Sequence, residues 1–272
     1  MPWQIDTATP IPHDLRAQLL ARVDIFDRTY SRFRNDSLVA SIATTPGTYE
    51  FPADAGALFD LYEKLYQATD AAVTPLIGGA LESLGYDRAY TLQPSATPAR
   101  VPAWDDAFAW DGHALTTLRP VTVDVGAAGK GYLVDILGAL LRDAGHDDFV
   151  VDGSGDLLHA GGGGIRIGLE NPLDTTKAIG IATVANRALC ASASNRRAWA
   201  GMHHIIDPAT GLPTRNVIAT WAIADTALVA DGLATALFFT GADRLREVAD
   251  FQYVRMFSNG RIEHDFEGEI FA

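Results

Sequence analysis

A glycine-rich turn lies near the middle of this 272-residue sequence and reads Asp124-Val125-Gly126-Ala127-Ala128-Gly129-Lys130-Gly131-Tyr132. The residues before it predict a strand over 121–125, and those after it predict a helix over 132–142. Glycines let backbone N–H groups approach a ligand, and a helix N-terminus favours an anion. Lys130 would add a positive charge for a phosphate. A tight turn with a solvated Lys130 fits equally well, because the spacing matches neither a P-loop nor a dinucleotide fingerprint.

A second candidate site lies on a helix predicted over residues 228–239. Asp231 and Thr235 are four residues apart, so they share one face of that helix. An acid and a hydroxyl on an otherwise apolar helix are costly to bury unless they are paired. Oxygen ligands of this kind suit Mg²⁺. The alternative is that Asp231 faces solvent and Thr235 bonds back to its own helix.

A pair of histidines, His203 and His204, precedes a turn over residues 207–211. A histidine can act as a general base near neutral pH, and Pro208 and Gly211 in the turn would hold it rigidly. A structural role for the pair is the alternative. Zinc is the weaker interpretation, since no third histidine or cysteine lies nearby.

Composition and charge narrow the functional class. Hydrophobic residues make up 48% of the chain and charged residues 20%, which predicts a folded protein with a sizeable core. The net charge of −13 argues against a nucleic-acid or anionic-membrane partner. The single cysteine, Cys190, excludes an internal disulfide. We expect a soluble, cytoplasmic protein, because neither a signal peptide nor a membrane span is visible.

The distribution of predicted elements indicates an α+β fold. Helical spacing predicts helices over residues 13–34, 53–69, 76–84, 132–142 and 228–239. Strands are predicted over residues 121–125, 149–151, 165–169, 179–184 and 217–224, with hairpins near 110–113 and across 253–263. Strands and helices do not alternate strictly, which favours α+β over a doubly wound sheet. We expect a single domain of residues 1–272, divisible into sub-lobes of about 1–112 and 113–272.

Taken in order, these segments resemble the ApbE family of flavin transferases. The resemblance runs from about Phe26 to Gly241, and its matching segments are Phe33–Ser37, Asp124–Asp135, Asp152–Asp156, His204–Gly211 and Ala230–Gly241. It implies a T-fold-like structure of mixed helices and mainly antiparallel sheets around a central flavin cleft. It also implies that the chain is an enzyme.

The activity implied by the resemblance is Mg²⁺-dependent transfer of FMN from FAD to a Ser or Thr hydroxyl of a target flavoprotein, with a phosphoester formed and AMP released. Two alternatives remain open: an FAD pyrophosphatase that transfers FMN to water, and a non-catalytic FAD-binding protein. Cleavage of a charged diphosphate by a chain of net charge −13 requires charge neutralisation. Mg²⁺ and Lys130 would supply it.

The resemblance also implies roles for individual residues. His204 matches the general base for the acceptor hydroxyl. Contacts to FAD would come from Phe33, Ala72, Val73, Thr74, Asp124, Lys130 and the backbone of Ile205. Mg²⁺ would be held by the backbone carbonyl of Ala127 and the side chains of Asp231 and Thr235.

Overall fold

A computed structural model describes residues 3–266 and 268–271 of the chain. The helices are α1 (His13–Tyr30), α2 (Leu38–Ile42), α3 (Gly56–Ala68), α4 (Gly78–Ser83), α5 (Trp104–Ala107), α6 (Gly129–Asp143), α7 (Ala227–Ala236) and α8 (Ala242–Leu245), with a 3₁₀ turn at Pro75–Ile77 before α4. In the part of the chain that the structure describes, no helix has the length and apolar character required to cross a membrane.

The strands form one large sheet and several small ones. They are β1 (Gln4–Thr7), β2 (Gly47–Glu50), β3 (Phe108–Trp110), β4 (Ala114–Thr117), β5 (Phe149–Asp152), β6 (Asp156–Ala160), β7 (Ile165–Glu170), β8 (Ala178–Val184), β9 (Ala188–Ala193), β10 (Ala198–Trp199), β11 (Met202–His203), β12 (Ile206–Asp207), β13 (Leu212–Pro213), β14 (Val217–Ala224), β15 (Gln252–Phe257), β16 (Ile262–His264) and β17 (Gly268–Ile270). The large sheet has the order β1-β5-β6-β9-β14-β15-β16, and every neighbouring pair in it is antiparallel. The predicted α+β class with mainly antiparallel sheets is therefore confirmed.

The central strands of the large sheet are covered on both faces. In β9, Ala188 and Cys190 belong to the main core on the side of α6 and α7, whereas Leu189 between them belongs to a second core. That second core also contains apolar residues of β7 and β8, which form a smaller sheet with β17. Side chains on a strand alternate between its faces, so the two cores follow directly from the sequence pattern. Cys190 is buried and free.

The segment expected to be a strand over residues 121–125 is not one, and that prediction is wrong. The N–H of Val121 donates to the carbonyl of Ile42 at 3.4 Å, and the N–H of Asp124 donates to that of Pro75 at 2.8 Å. Both acceptors lie in or beside short helices, so the apolar alternation is satisfied by burial without a sheet partner. The hairpin predicted near residues 110–113 is present as β3 and β4, with Gly112 in the left-handed region at φ 94°.

The predicted single domain and its sub-lobes stay predictions. Strand β1 pairs with β5, which lies beyond the expected boundary near residue 112. The main core also contains side chains from both sides of that boundary, from Leu15 to Phe251.

Helices α6 and α7 cross at very short range, and Gly131 makes this possible. A Cβ placed on Gly131 would overlap the backbone carbonyl of Ala227 and lie 2.8 Å from the Cβ of Asp231. The N–H of Gly131 also donates to Asp231 Oδ2 at 3.0 Å. Glycine is therefore required at this position because any side chain would prevent the close approach of the two helices. Its backbone conformation is ordinary for a helix and does not itself require glycine.

One turn further along α6, the carboxylate of Asp135 accepts hydrogen bonds from the backbone N–H groups of Ala227 and Leu228, each at 2.8 Å. These donors belong to the first turn of α7, where N–H groups have no partner within the helix. Thr226 completes the cap by accepting from the N–H of Val229. Burial raises the pKa of Asp135 to about 6, although these hydrogen bonds favour its ionised form.

We predict that Gly131→Ala destabilises the protein by about 1–3 kcal/mol, because the added methyl group has no space between α6 and α7. Thermal or urea unfolding measures the effect. Gly79→Ala in α4 is the matched control, since an added Cβ there would contact nothing within 4 Å. Equal loss of stability in the two variants would contradict the close-packing argument.

We predict that Asp135→Asn weakens the pH dependence of stability. The pKa of about 6 in the folded protein, against an ordinary 3.8, means that the folded state retains a proton that the unfolded state releases. The contribution is fully present below about pH 4 and is lost as the pH rises through 6, by about 3 kcal/mol. Urea unfolding at pH 4, 5, 6 and 7 should therefore show a smaller decline in the Asn variant than in the wild type. Asp143→Asn, at the exposed end of the same helix, should leave the decline unchanged.

Candidate functional site

One cavity of about 590 Å³ brings together ten of the eleven residues that the sequence implicates. Its lining includes Ala72, Val73, Thr74, Asp124, Ala127, Lys130, His204, Ile205, Asp231 and Thr235. These residues come from four segments that are far apart in sequence. The α6–α7 crossing and the loops beside it place them around a single space.

Three oxygen-bearing residues line the cavity where α7 faces the glycine-rich turn. The hydroxyl of Thr235 donates to the backbone carbonyl of Ala127 at 3.2 Å. Asp231, one turn earlier on α7, is only 2% exposed, so the alternative in which it faces solvent is wrong. Burial raises the pKa of Asp231, while the charge of Lys130 and the N–H of Gly131 favour its ionised form. A carboxylate, a hydroxyl and a carbonyl are oxygen ligands that suit Mg²⁺.

Lys130 is held by a buried acid. Its Nζ forms an ion pair with Asp156, whose side chain is 0% exposed and has no hydrogen-bond donor apart from this ammonium among the residues that the structure describes. A buried carboxylate without such a partner would be strongly destabilising. The alternative of a solvated Lys130 is therefore wrong. Asp152, in contrast, caps its own turn by accepting from the N–H of Gly155 at 2.8 Å.

His204 presents an imidazole to the cavity. Its Nδ1 is enclosed and has no hydrogen-bond partner in the described residues. Burial lowers the pKa of His204 well below its usual value, and the positive charges of Arg197 and Lys130 lower it further. The imidazole is therefore neutral at physiological pH and can accept a proton. Its neighbour His203 is used differently, because its Nε2 lies 2.7 Å from the carbonyl of Thr214 and its Nδ1 accepts from the N–H of Ile205.

Asp124 is fixed at the cavity edge by two donors. Its Oδ1 accepts from the N–H of Gly126 at 2.7 Å, and its Oδ2 accepts from Nε of Arg32 at 2.5 Å. A carboxylate has about four lone-pair directions, so acceptor capacity remains for a ligand.

Around Ile205 and Val73–Thr74, which are also predicted to contact FAD, most polar groups are already hydrogen-bonded within the protein. Ile205 donates its N–H to His203 and accepts from the N–H of Thr214 at 3.0 Å, which leaves one lone pair on its carbonyl. Thr74 caps the 3₁₀ turn by accepting from the N–H of Leu76, and Thr69 Oγ1 accepts from the N–H of Val73. These residues shape the cavity wall and offer it few free polar groups.

Phe33 is the one implicated residue that does not line the cavity. Its ring is stacked on Tyr90, with centroids 5.2 Å apart and planes 9° apart, and it contacts Tyr86 edge-on at 5.4 Å. Tyr86 does line the cavity, so Phe33 contacts a lining residue without lining the cavity itself.

Several lining residues were not found from the sequence, notably Tyr86, Ser192, Arg196, Arg197 and Phe239. Arg196 is paired with Glu170 at 2.9 Å, but Arg197 forms no ion pair within the described part of the chain. The cavity lining therefore includes two arginines besides Lys130, and Arg197 is the one not paired with an acid among the described residues. Two consecutive arginines in an acidic chain were an available signal. Tyr86 and Phe239 had no comparable signal in the sequence, because isolated aromatic residues usually belong to the core.

Comparison with known proteins places these features in a family. Among curated relatives, the chain is 28% identical over 263 residues to the FAD:protein FMN transferase of Klebsiella pneumoniae (strain 342), covering 86% of this chain and 73% of the relative. It is 27% identical over 261 residues to the enzyme of the same name from Salmonella typhimurium, with the same two coverages.

Solved structures share the fold. The ApbE protein of Thermotoga maritima superposes with a TM-score of 0.81 at 22% identity, covering 96% of this chain and 92% of that one. The flavin transferase ApbE of Vibrio cholerae gives a TM-score of 0.78 at 20% identity, with coverages of 97% and 93%. The sequence profile of the ApbE family matches residues 1–257, so the resemblance predicted from the sequence is confirmed and the chain belongs to the ApbE family.

Proposed function

We propose that this protein is an FAD:protein FMN transferase, which moves FMN from FAD to a Ser or Thr hydroxyl of a partner flavoprotein and releases AMP. The observation that carries the proposal is the convergence of an imidazole, a half-buried ammonium and a group of oxygen ligands around one cavity. His204, Lys130 and Asp231 supply these three groups. Transfer to a protein agrees with the names of the curated relatives.

The residues present fit a magnesium ion. Asp231 and Thr235 would hold it together with the carbonyl of Ala127. Only one of these ligands is acidic, and among the described residues no group of three or more His, Cys, Asp or Glu side chains is suited to a metal. Mg²⁺ commonly completes its shell with substrate phosphates and water, so one carboxylate is sufficient. When bound, the ion would neutralise charge on the diphosphate of FAD.

The protein's own cations would orient the diphosphate. Lys130 is fixed by Asp156, and Arg197 has no acidic partner among the residues that the structure describes. An ammonium held in place acts as a point charge, whereas a guanidinium can donate two parallel hydrogen bonds to phosphate oxygens. Together they would favour the extra negative charge that develops on the phosphoryl oxygens during transfer.

His204 would accept the proton of the acceptor hydroxyl. Because Nδ1 is enclosed, we assign this role to Nε2. A Ser or Thr hydroxyl is a weak nucleophile, and its attack on phosphorus requires removal of its proton as the new bond forms. The lowered pKa of His204, caused mainly by burial, keeps the ring in the unprotonated form that a general base requires.

The function is tested by incubating the protein with FAD, Mg²⁺ and candidate flavoproteins, and by co-expressing them. We expect equimolar release of AMP and a gain by a Ser or Thr of the acceptor of the mass of FMN less one water, detected by mass spectrometry. Chelation of Mg²⁺ with EDTA should abolish both the release of AMP and the flavinylation of the acceptor. Release of AMP without covalent flavin would indicate a pyrophosphatase, and FAD binding without either product would indicate a non-catalytic protein.

Asp231→Asn tests the metal assignment within the same assay. The amide keeps an oxygen for the N–H of Gly131 but removes the negative charge. Transfer should fall by at least about 100-fold. Asp225→Asn is the control, because this acid lies just before the same helix with its side chain 92% exposed. Similar activity in both variants would count against Asp231 as a ligand.

We predict that His204→Gln lowers the transfer rate by about 10²–10⁴-fold, the usual contribution of a general base, while FAD binding is retained. Single-turnover transfer and FAD titration measure the two quantities separately. His203→Gln is the matched control, since the amide can still donate to the carbonyl of Thr214. A His204→Gln variant that transfers FMN at the wild-type rate would exclude His204 as the base.

A further inference from the structure

Tyr62 of α3 contacts the glycine-rich turn, although it is not among the residues that line the cavity. Its side chain is completely buried, at 0% exposure. Its hydroxyl oxygen accepts a hydrogen bond from the backbone N–H of Ala127 at 3.2 Å. The carbonyl of Ala127 is the one assigned above to Mg²⁺. A side chain outside the cavity lining thus holds the backbone of a proposed metal ligand.

Hydrogen bonds hold both peptide groups that flank the Cα of Ala127. The peptide group before it carries the N–H that donates to Tyr62. The peptide group after it contains the carbonyl of Ala127 and the N–H of Ala128, and this N–H donates to the carbonyl of Val125 at 3.2 Å. Because a peptide group is planar, holding both groups leaves little rotation about φ and ψ of Ala127. The direction of its carbonyl is set in this way, and the carbonyl accepts from the hydroxyl of Thr235.

Helix α3 also packs tightly on α7, next to a second proposed ligand. A Cβ placed on Gly232 would lie 2.8 Å from Cδ1 of Leu65 and 3.0 Å from Cδ2 of Leu61, so an added methyl group would crowd both leucines. Gly232 directly follows Asp231 in the sequence. The same helix therefore contacts both elements that carry the proposed metal ligands.

The hydroxyl of Tyr62 stays protonated at physiological pH. Burial raises the pKa of Tyr62 well above its usual value, and the negative charges of Asp124 and Asp231 raise this pKa further. A phenolate would itself attract a cation, whereas a neutral hydroxyl acts on the site through the backbone that it holds. Tyr62 is therefore suited to orient a ligand and unsuited to be one.

We propose that Tyr62 is a positioning residue for the metal site, which directs the carbonyl of Ala127 towards the ion by holding the N–H of the same residue. The inference rests on the proposed function. Mg²⁺ requires nearly ideal octahedral geometry at about 2.0–2.1 Å, so rotation of one carbonyl weakens its binding. Ca²⁺ accepts irregular arrangements at longer distances. Tyr62 would therefore contribute to the affinity for a metal and also to the preference for magnesium.

Tyr62→Phe tests the proposal, because it removes the hydroxyl and keeps the ring. We expect the dissociation constant for Mg²⁺, measured by isothermal titration calorimetry on the full chain, to rise about 10–100-fold, the usual cost of losing a group that orients a metal ligand. Tyr66→Phe is the matched control, since it makes the same change on the same helix. The hydroxyl of Tyr66 accepts from the N–H of Trp104 at 3.3 Å and not from the turn, so this variant should bind Mg²⁺ as the wild type does.

The preference between Mg²⁺ and Ca²⁺ separates positioning from a general loss of structure. In Tyr62→Phe, the rise in the dissociation constant for Ca²⁺ should be at least about threefold smaller than the rise for Mg²⁺, because Ca²⁺ tolerates a misdirected carbonyl. Loosened packing of α3 on α7 would weaken the binding of both ions alike.

Amide hydrogen exchange, followed by NMR, examines the backbone without a metal. In Tyr62→Phe the amide of Ala127 should exchange at least about tenfold faster than in the wild type, because it has lost its acceptor. The amide of Gly129 donates to the carbonyl of Val125 at 2.7 Å and is the internal control. Its exchange rate should stay at the wild-type value.

The outcomes distinguish this inference from the proposed function. Unchanged Mg²⁺ affinity in Tyr62→Phe would overturn the inference while the wild type still binds the ion and transfers FMN. Equal weakening of Mg²⁺ and Ca²⁺ binding, or unaltered exchange at Ala127, would also overturn it, because Tyr62 would then not direct the carbonyl. A wild-type protein that binds Mg²⁺ but transfers no FMN would instead refute the proposed function, and one that binds no Mg²⁺ would refute the metal site on which both rest.

Discussion

The contact between α6 and α7 at Gly131 determines most of the site. At this crossing the backbone of α6 touches the start of α7, and the N–H of Gly131 donates to Asp231. The residue before Gly131 is Lys130, and the turn before that contains Ala127, whose carbonyl accepts from Thr235. One helix crossing thus places the ammonium, the carboxylate and the carbonyl together. Any separation of the two helices would move all of these groups apart at once.

The same crossing explains how an acidic protein keeps charged groups buried. Asp156 is fully buried but faces Lys130, Asp135 receives two N–H groups from α7, and Asp231 receives one from Gly131. Burying a carboxylate costs several kcal/mol unless such partners are present. Lys130 is paired with Asp156 and also acts on Asp231, to which Arg197 contributes a second positive charge. The carboxylate of Asp231 in this setting is the kind of group that accepts a divalent cation.

Much of the arrangement could be predicted from the sequence, because local signals marked the residues concerned. The glycines of the turn, the spacing of Asp231 and Thr235, and the histidine before a rigid turn each carry a physical reason for their position. The ordered set also led to the correct family. The strand predicted at residues 121–125 failed because apolar alternation reports burial on one face and cannot report whether a strand partner exists.

Other features depend on contacts between distant residues and leave no local pattern. The pairing of Arg32 with Asp124 spans 92 positions, and the pairing of β1 with β5 joins one expected sub-lobe to the other. Tyr86 has no periodic neighbours that distinguish a cavity wall from a core. Its position depends on Trp199, which lies on a short two-stranded hairpin more than a hundred residues away.

These distant contacts also explain why the cavity is lined by two chemically different groups of residues. The helices α6 and α7 carry the groups that hold charge, and they are rigid because the core packs them against the large sheet. The apolar wall comes from short helices and the hairpin that contains Trp199, which form a separate cluster. Asp124 lies between the two parts, bonded through its backbone to Pro75 and through its side chain to Arg32. Asp124 is therefore fixed at the cavity edge by two partners that are distant from it in sequence.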